Sequence, residues 1–149
     1  MNVRYSSCAL VVRDSSDSPV ELSQQLNDPV AVAKSLGPFM SQLDREHFLC
    51  LAMNTKNQLT AWTTVSVGTL SASLVHPREV FKWALLENAG SIICVHNHPS
   101  GSPEPSLDDK EITRRLSRCG TLLGVPLTDH IILAGASAYS FRSSLPDMF

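Results

Sequence analysis

Two histidines separated by one residue, His96 and His98, are the side chains of this sequence best placed to bind a metal ion. They end an apolar run at residues 91–95, which is typical of a strand buried on both faces. Because side chains alternate along a strand, both imidazoles point the same way. The following loop can return Asp109 to the same ion. Two nitrogens and one carboxylate oxygen leave a tetrahedral position open, which predicts one zinc ion per chain in a catalytic type of site.

The loop between the histidines and Asp109 has a composition that suits this role. Pro99, Pro103 and Pro105 restrict its backbone, and Gly101 permits a turn that other residues resist. A loop that is already restricted loses less entropy when it holds ligands around an ion.

A purely structural interpretation of the same residues is a helix cap. The segment from Ser106 to Asp109 matches the S-x-x-[DE] capping box, in which both side chains bond to backbone amides at the start of a helix. The cap and the metal site are compatible, because one carboxylate can serve both.

Three helices are predicted from capping signals and apolar spacing. Asp28 before Pro29 predicts a helix to about residue 36, interrupted by Gly-Pro at 37–38. A second helix is predicted to open at residues 76–79 and to end near residues 88–90, where glycine is a good terminator. A third begins at Ser106, and its expected inner face comprises Ile112, Leu116, Cys119 and Leu123.

The strands complete an α/β pattern. Runs at 48–55 and 58–67 predict a hairpin with a turn at Lys56 and Asn57. Further strands are expected at 3–12, 91–95, 125–133 and 138–142. Helices interleaved with strands predict a three-layer-like sandwich, in which helices flank a mixed β-sheet.

Composition limits the class of protein. The chain has 149 residues, 43% hydrophobic and 17% charged, as in soluble globular domains. A net charge of −2 argues against a general nucleic-acid binder. With no long apolar run and no signal-peptide pattern, we expect a cytoplasmic protein without membrane contact. The four cysteines form no C-x-x-C pair and are expected to be small buried hydrophobes.

The pattern H-x-H-x7-S-x2-D from His96 to Asp109 resembles the signature of the JAMM/MPN (JAB) metalloprotease family. The fuller string H-N-H-P-S-G-x-P-x-P-S is similar to its RadC-type branch, as are residues 68–69, 76–79 and 129–130. The resemblance covers roughly residues 28–133. It implies a single RadC-type JAB/MPN domain over 1–149, with a core at 28–149 and an architecture related to cytidine deaminases.

The resemblance also implies roles for individual residues. His96, His98 and Asp109 would be zinc ligands, and Ser106 would donate a hydrogen bond to the developing oxyanion. The family's catalytic glutamate precedes the strand after the first helix, which corresponds to Glu46. Glu79 and Glu104 are its rivals, in a helix start and in the loop. The reaction implied is hydrolysis of a peptide or isopeptide bond in a protein or peptide substrate.

Two further residues, Asp129 and His130, allow two interpretations. Their carboxylate or imidazole could orient a metal ligand through a hydrogen bond, or the two could be a satisfied polar pair in the core. The residues do not decide between these.

Competing functions remain open at this point. The first is a metal-dependent enzyme that acts on nucleic acid. Lys110, Arg114, Arg115 and Arg118 favour it, although a solvated face with a Glu111–Arg115 pair is the simpler interpretation. The resemblance to RadC-type proteins, which have carried a DNA-repair label, also implies a protein associated with DNA repair. Longer RadC-type proteins carry an N-terminal helix-hairpin-helix-like region, for which residues 1–27 are too few.

A deaminase would need H-x-E with P-C-x-x-C, and the sequence has neither. A non-catalytic MPN scaffold is the third alternative. Residues 1–27 are expected to form a strand and loop extension, which could pair with a second copy at a sheet edge.

Overall fold

The computed structural model describes residues 17–68 and 75–149 of the chain. The predicted strand at residues 3–12 lies outside these residues. In chain order the elements are α1 Pro29–Met40, β1 His47–Met53, β2 Leu59–Val67, α2 Pro77–Leu86, β3 Ser91–Asn97, α3 Leu107–Leu123, β4 Leu127–Ala134, β5 Ser137–Ser140, a helical turn α4 Phe141–Ser144 and a short 3₁₀ turn Pro146–Met148.

The five strands form one mixed sheet in the order β2-β1-β3-β4-β5. Strands β3 and β4 are parallel, and the other neighbouring pairs are antiparallel. The central strand β3 is buried along its whole length, as its continuous apolar run predicts. The carboxyl end of this strand carries His96 and lies beside the start of β1, since Phe48 is the register partner of His96.

Helices cover both faces of the sheet. On one face, Leu36 and Met40 of α1 pack against Leu49 and Val95. On the other face, α2 and α3 pack onto the sheet through a second cluster that includes Phe81, Ala84, Ile112 and Leu116. Burying each large apolar side chain contributes about 1.5–3 kcal/mol. The predicted α/β sandwich of three layers is confirmed.

The first helix differs from the prediction, because the Gly-Pro pair does not interrupt it. Asp28 caps α1 as expected and accepts hydrogen bonds from the amides of Val30 and Ala31. Pro38 lies in the last turn, where its missing N–H removes a single helical hydrogen bond. The amide of Ser41 still donates to the carbonyl of Gly37, at 2.9 Å. A proline so close to the end of a helix is therefore tolerated.

The hairpin between β1 and β2 is confirmed, and Asn57 in its turn has a positive φ of 56°. At the end of α2 the left-handed residue is Asn88, with φ 52°, and not the expected glycine. Gly90 lies close to another segment, since a Cβ there would be 3.1 Å from the backbone of Asn54, which is tighter than most side-chain contacts. Beyond β5, the predicted strand at 138–142 is wrong from Phe141 onward, where the chain turns into α4.

The inner face of α3 is rotated from the predicted one. Ile112 and Leu116 are buried, but Leu123 is 47% exposed and Cys119 is only partly buried. Asp109, Thr113 and Gly120 occupy the buried face as well. Apolar spacing predicts only the hydrophobic residues of a buried helix face, so it does not identify these three residues. None of the helices in the described residues is long and apolar enough to cross a membrane.

Candidate metal centre

The carboxyl end of β3 and the first turn of α3 bring His96, His98 and Asp109 together. The two Nε2 atoms of the histidines lie 2.9 Å apart. The Nε2 atoms of His96 and His98 lie 3.3 and 3.5 Å from the two carboxylate oxygens of Asp109. His96 and Asp109 are buried, and His98 is partly exposed. Three residues predicted from the sequence thus form one cluster of metal-ligand type.

Asp109 is held by the capping box of α3. The Ser106 amide donates to the Oδ2 atom of Asp109 at 2.7 Å, and the Asp109 amide donates to the Ser106 hydroxyl at 3.0 Å. The structural interpretation of this motif is therefore correct. It also serves the cluster, because the cap fixes the carboxylate that faces the two histidines.

The loop orients His98. Its Nδ1 atom lies 2.8 Å from the carbonyl oxygen of Ser102. Since a carbonyl only accepts, Nδ1 carries a proton, so the neutral imidazole keeps its lone pair on Nε2. The loop therefore directs the ligand atom of His98 toward Asp109.

The electrostatics of the cluster favour a cation. Burial lowers the pKa of His96, which keeps this imidazole neutral near neutral pH. In its protonated form His98 can donate to the carboxylate of Asp109, and this hydrogen bond raises the pKa of His98. Burial alone would raise the pKa of Asp109, but its hydrogen bonds with His96 and His98 outweigh burial and hold that pKa well below its usual value. The site therefore presents an ionised carboxylate and imidazole nitrogens at one point.

Glu46 lies within electrostatic reach of both histidines: its charge partly offsets the burial that lowers the pKa of His96, and it adds to the Asp109 hydrogen bond that raises the pKa of His98. It immediately precedes β1 and is partly buried. Of its rivals, Glu79 pairs with Lys82 and with Arg78 at the start of α2. Glu104 is exposed in the loop.

Asn97, which sequence reasoning missed, holds the segment that carries Glu46. Its Oδ1 atom accepts from the amide of His47 at 2.7 Å, and its Nδ2 atom donates to the carbonyl of Arg45 at 3.1 Å. These two residues flank Glu46 on either side. No local signal predicts this contact, because Asn97 lies 50 residues beyond His47 in the chain.

Replacing Asn97 by alanine is expected to destabilise the fold by about 1–3 kcal/mol, because a part-buried amide and carbonyl lose their partners. Chemical denaturation measures this change. Asn27→Ala is the matched control, since Asn27 is exposed and makes no side-chain hydrogen bond among the described residues. Equal stability of the two variants would contradict the role given to Asn97.

Asp129 and His130 do not act as a pair. The Nε2 atom of His130 lies 2.8 Å from Nδ1 of His96, so this ring contacts a candidate ligand directly. The carboxylate of Asp129 instead accepts from the amides of His130 and Arg142 and from the hydroxyl of Ser140. It therefore fixes the junction of β4, β5 and α4 and does not contact the His130 ring.

A second residue missed from the sequence is Thr113. Its hydroxyl oxygen lies 2.7 Å from Nδ1 of His130 and bonds to the carbonyl of Asp109. The usable signal was its spacing: Thr113 is four residues after Asp109 and so lies on the same helix face.

Comparison with known proteins identifies the family of this chain. The profile of the RadC-like JAB domain matches residues 26–145. The chain belongs to the RadC-like JAB domain family. Among related proteins, the UPF0758 protein YsxA of Bacillus subtilis is 52% identical over 103 residues, which are 69% of this chain and 45% of YsxA. A UPF0758 protein of Bacillus velezensis is 49% identical over 117 residues, or 78% of this chain and 51% of that protein.

These relatives are longer than the RadC-like domain described here. A UPF0758 protein of Geobacillus is 46% identical over 117 residues, which are 52% of its length. The chain thus spans about half the length of the curated relatives it matches.

The donor set fits zinc. Ligand atoms around tetrahedral zinc, at bond lengths of about 2.0–2.1 Å, lie about 3.3–3.4 Å from one another. The distances between Nε2 of each histidine and Asp109 in this RadC-like domain are 3.3 and 3.5 Å. The separation of the two nitrogens, 2.9 Å, is a few tenths of an ångström shorter. Imidazole nitrogens and carboxylate oxygens are among the ligands that bind zinc in proteins.

Proposed function

We propose that this RadC-like domain is a zinc-dependent hydrolase that cleaves an amide bond, as a metallopeptidase or isopeptidase. The observation that carries the proposal is the convergence of His96, His98 and Asp109, with one zinc ion per chain as the cofactor. Three protein ligands leave a coordination position for water, which is the arrangement of hydrolytic zinc sites.

Two side chains beside the ligands have the chemistry that hydrolysis needs. Bound zinc supplies a Lewis acid for the substrate carbonyl and lowers the pKa of water to about 7. Glu46, whose charge reaches both histidines, takes a proton from the attacking water and returns it to the leaving amine. General acid–base catalysis of this kind contributes about 10²–10⁴-fold.

Ser106 supplies a hydrogen-bond donor for the oxyanion that develops on the substrate. Its oxygen already accepts from the amide of Asp109, whereas its own proton has no acceptor within residues 17–68 and 75–149. The proton is therefore available to the substrate. Donors in this role are worth about 2.7–4 kcal/mol.

Membership of the RadC-like JAB domain family supports an amide substrate, and the chain has Glu46 and Ser106 in the positions that the family resemblance assigns to catalysis. The test is incubation of zinc-loaded protein with a peptide library, with new termini identified by mass spectrometry. We expect cleavage that a chelator removes and that added zinc restores. Cleavage that survives complete removal of metal would contradict the proposal.

A metal-dependent activity on nucleic acid is the second candidate, favoured by one observation. Arg115 and Arg118 line a groove of about 390 Å³ between α2 and α3, together with Arg78. The Glu111–Arg115 pair expected from the sequence is not among the ion pairs of the described residues. Metal-dependent cleavage of a DNA oligonucleotide, without cleavage of any peptide, would favour this candidate.

The scaffold alternative depended on a glutamate remote from the metal site. The influence of Glu46 on the pKa of both histidines supports the catalytic proposal instead.

A further inference from the structure

We propose that Thr113 and His130 are positioning residues that hold the proton of His96 on Nδ1 and so leave its Nε2 atom free to bind the metal. The inference rests on the proposed metal site and adds a device that sets its affinity. It is carried by a chain of three hydrogen bonds, running from the backbone of α3 through β4 to β3.

The series of hydrogen bonds begins at Thr113, whose hydroxyl has one proton. Its oxygen lies 2.5 Å from the carbonyl oxygen of Asp109, one helical turn earlier. A carbonyl oxygen cannot donate, so the threonine proton must lie between these two oxygens. The opposite arrangement would leave two oxygens at 2.5 Å with no hydrogen between them. Thr113 therefore acts as an acceptor toward its other neighbour.

That neighbour is Nδ1 of His130, at 2.7 Å from the Thr113 oxygen. Because Thr113 accepts here, Nδ1 of His130 carries the proton. The His130 side chain is buried, and a neutral imidazole has one proton only. Its Nε2 atom is consequently an acceptor.

Nε2 of His130 lies 2.8 Å from Nδ1 of His96, which must then donate. The proton of His96 is thereby placed on the side away from Asp109. His98 is oriented by a different contact, since its Nδ1 atom donates to the carbonyl of Ser102. The Nε2 atom of neutral His96 is then left with its lone pair, 2.9 Å from Nε2 of His98.

Packing fixes the rings of this relay. The His130 ring stacks on Phe141 at a centroid distance of 5.0 Å, and the His96 ring stacks on Phe48 at 6.0 Å. Both histidines are 0% exposed, so solvent does not offer alternative partners to their nitrogens. The protein therefore selects one tautomer before any metal arrives, and this selection removes a cost from metal binding.

The test is the tautomeric state of the imidazoles in the metal-free protein, read by long-range ¹⁵N–¹H NMR at neutral pH. We expect a proton on Nδ1 of His96 and on Nδ1 of His130, with both Nε2 atoms unprotonated. A proton on Nε2 of either residue would overturn the inference. This measurement needs no variant and is therefore independent of any folding defect.

Two substitutions then test the effect on zinc. Thr113→Val keeps the shape of the side chain but cannot accept, so the His130 proton is expected to move to Nε2 and the His96 proton to its own Nε2. The affinity for zinc, measured by competition with a chromophoric chelator, should fall by about 10–100-fold. Thr113→Ser retains the hydroxyl and should keep both the tautomers and the affinity of the wild type.

This experiment distinguishes a failure of the hydrogen-bond relay from a failure of the metal site. Equal zinc affinity of Thr113→Val and the wild type would overturn the relay and leave the proposed hydrolase standing. Failure of the wild type to bind zinc at all would overturn the metal site, and the inference with it.

Discussion

Replacing Asp109 by asparagine is expected to lower the zinc affinity by at least about 100-fold while α3 stays folded. Changing a residue that only supports a metal ligand typically lowers metal affinity or activity by about 10–100-fold. Here the ligand itself is changed, and it loses its charge. The amide oxygen of asparagine can still accept from the amide of Ser106, which the carboxylate now does at 2.7 Å. The cap is therefore retained and the metal ligand is lost.

The matched control for this change is Asp108→Asn. Asp108 lies next to Asp109 in the first turn of α3, carries the same charge and is exposed. Zinc affinity is measured by competition with a chelator, and thermal unfolding of the metal-free proteins reports the fold. We expect Asp108→Asn to bind zinc as the wild type does, and both variants to keep their stability to within about 1 kcal/mol. Equal zinc affinity of the two variants would refute the assignment of Asp109 as a ligand.

Replacing Glu46 by glutamine is expected to lower the rate of hydrolysis by about 10²–10⁴-fold without loss of zinc. Glutamine has nearly the same shape but cannot take up a proton. Asn97 bonds to the backbone on both sides of residue 46, so the substituted side chain should stay in place. The measurement is the rate of cleavage of a peptide identified in the library screen, together with the zinc content of each sample.

Glu104→Gln is the control for the second prediction. Glu104 is an alternative candidate for the catalytic glutamate, and it is exposed in the loop between His98 and Asp109. Its replacement should leave the rate within about twofold of the wild type. If Glu104→Gln were inactive and Glu46→Gln active, the catalytic assignment would have to move to the loop.

The sequence was sufficient to predict the cluster of His96, His98 and Asp109 because these residues are close together in the chain. A period of two along β3 fixes the relation of His96 to His98, and the capping box fixes Asp109 at the start of α3. Such local rules depend on a few backbone angles and survive in almost any tertiary context. The order of the elements also follows from them, apart from the first predicted strand, which lies outside the described residues.

The groups that surround the ligands could not be predicted in this way. Asn97 bonds to Arg45 and His47 across two strands, and Thr113 meets His130 only after β4 has paired with β3. Asp129 and His130 are adjacent in the chain, yet only His130 contacts a candidate ligand, because successive side chains of a strand point to opposite faces. Contacts of this kind depend on strand order, which a single sequence specifies only weakly.

The burial of α3 shows a related limit. Apolar spacing identified Ile112 and Leu116 correctly, but Leu123 is 47% exposed and Gly120 takes its place on the inner face. A Cβ at residue 120 would lie 2.5 Å from the carbonyl oxygen of Val125, so the close approach of the chain there requires glycine. Hydrophobicity does not report such an approach.

The most direct test of the account is the zinc content of the purified wild-type protein, measured by mass spectrometry after incubation with zinc and removal of the excess. We predict about one zinc ion per chain, held by His96, His98 and Asp109 and lost in His98→Ala. A wild-type protein that holds no zinc under these conditions would contradict the account, and Ser106 and Asp109 would then remain only as the cap of α3.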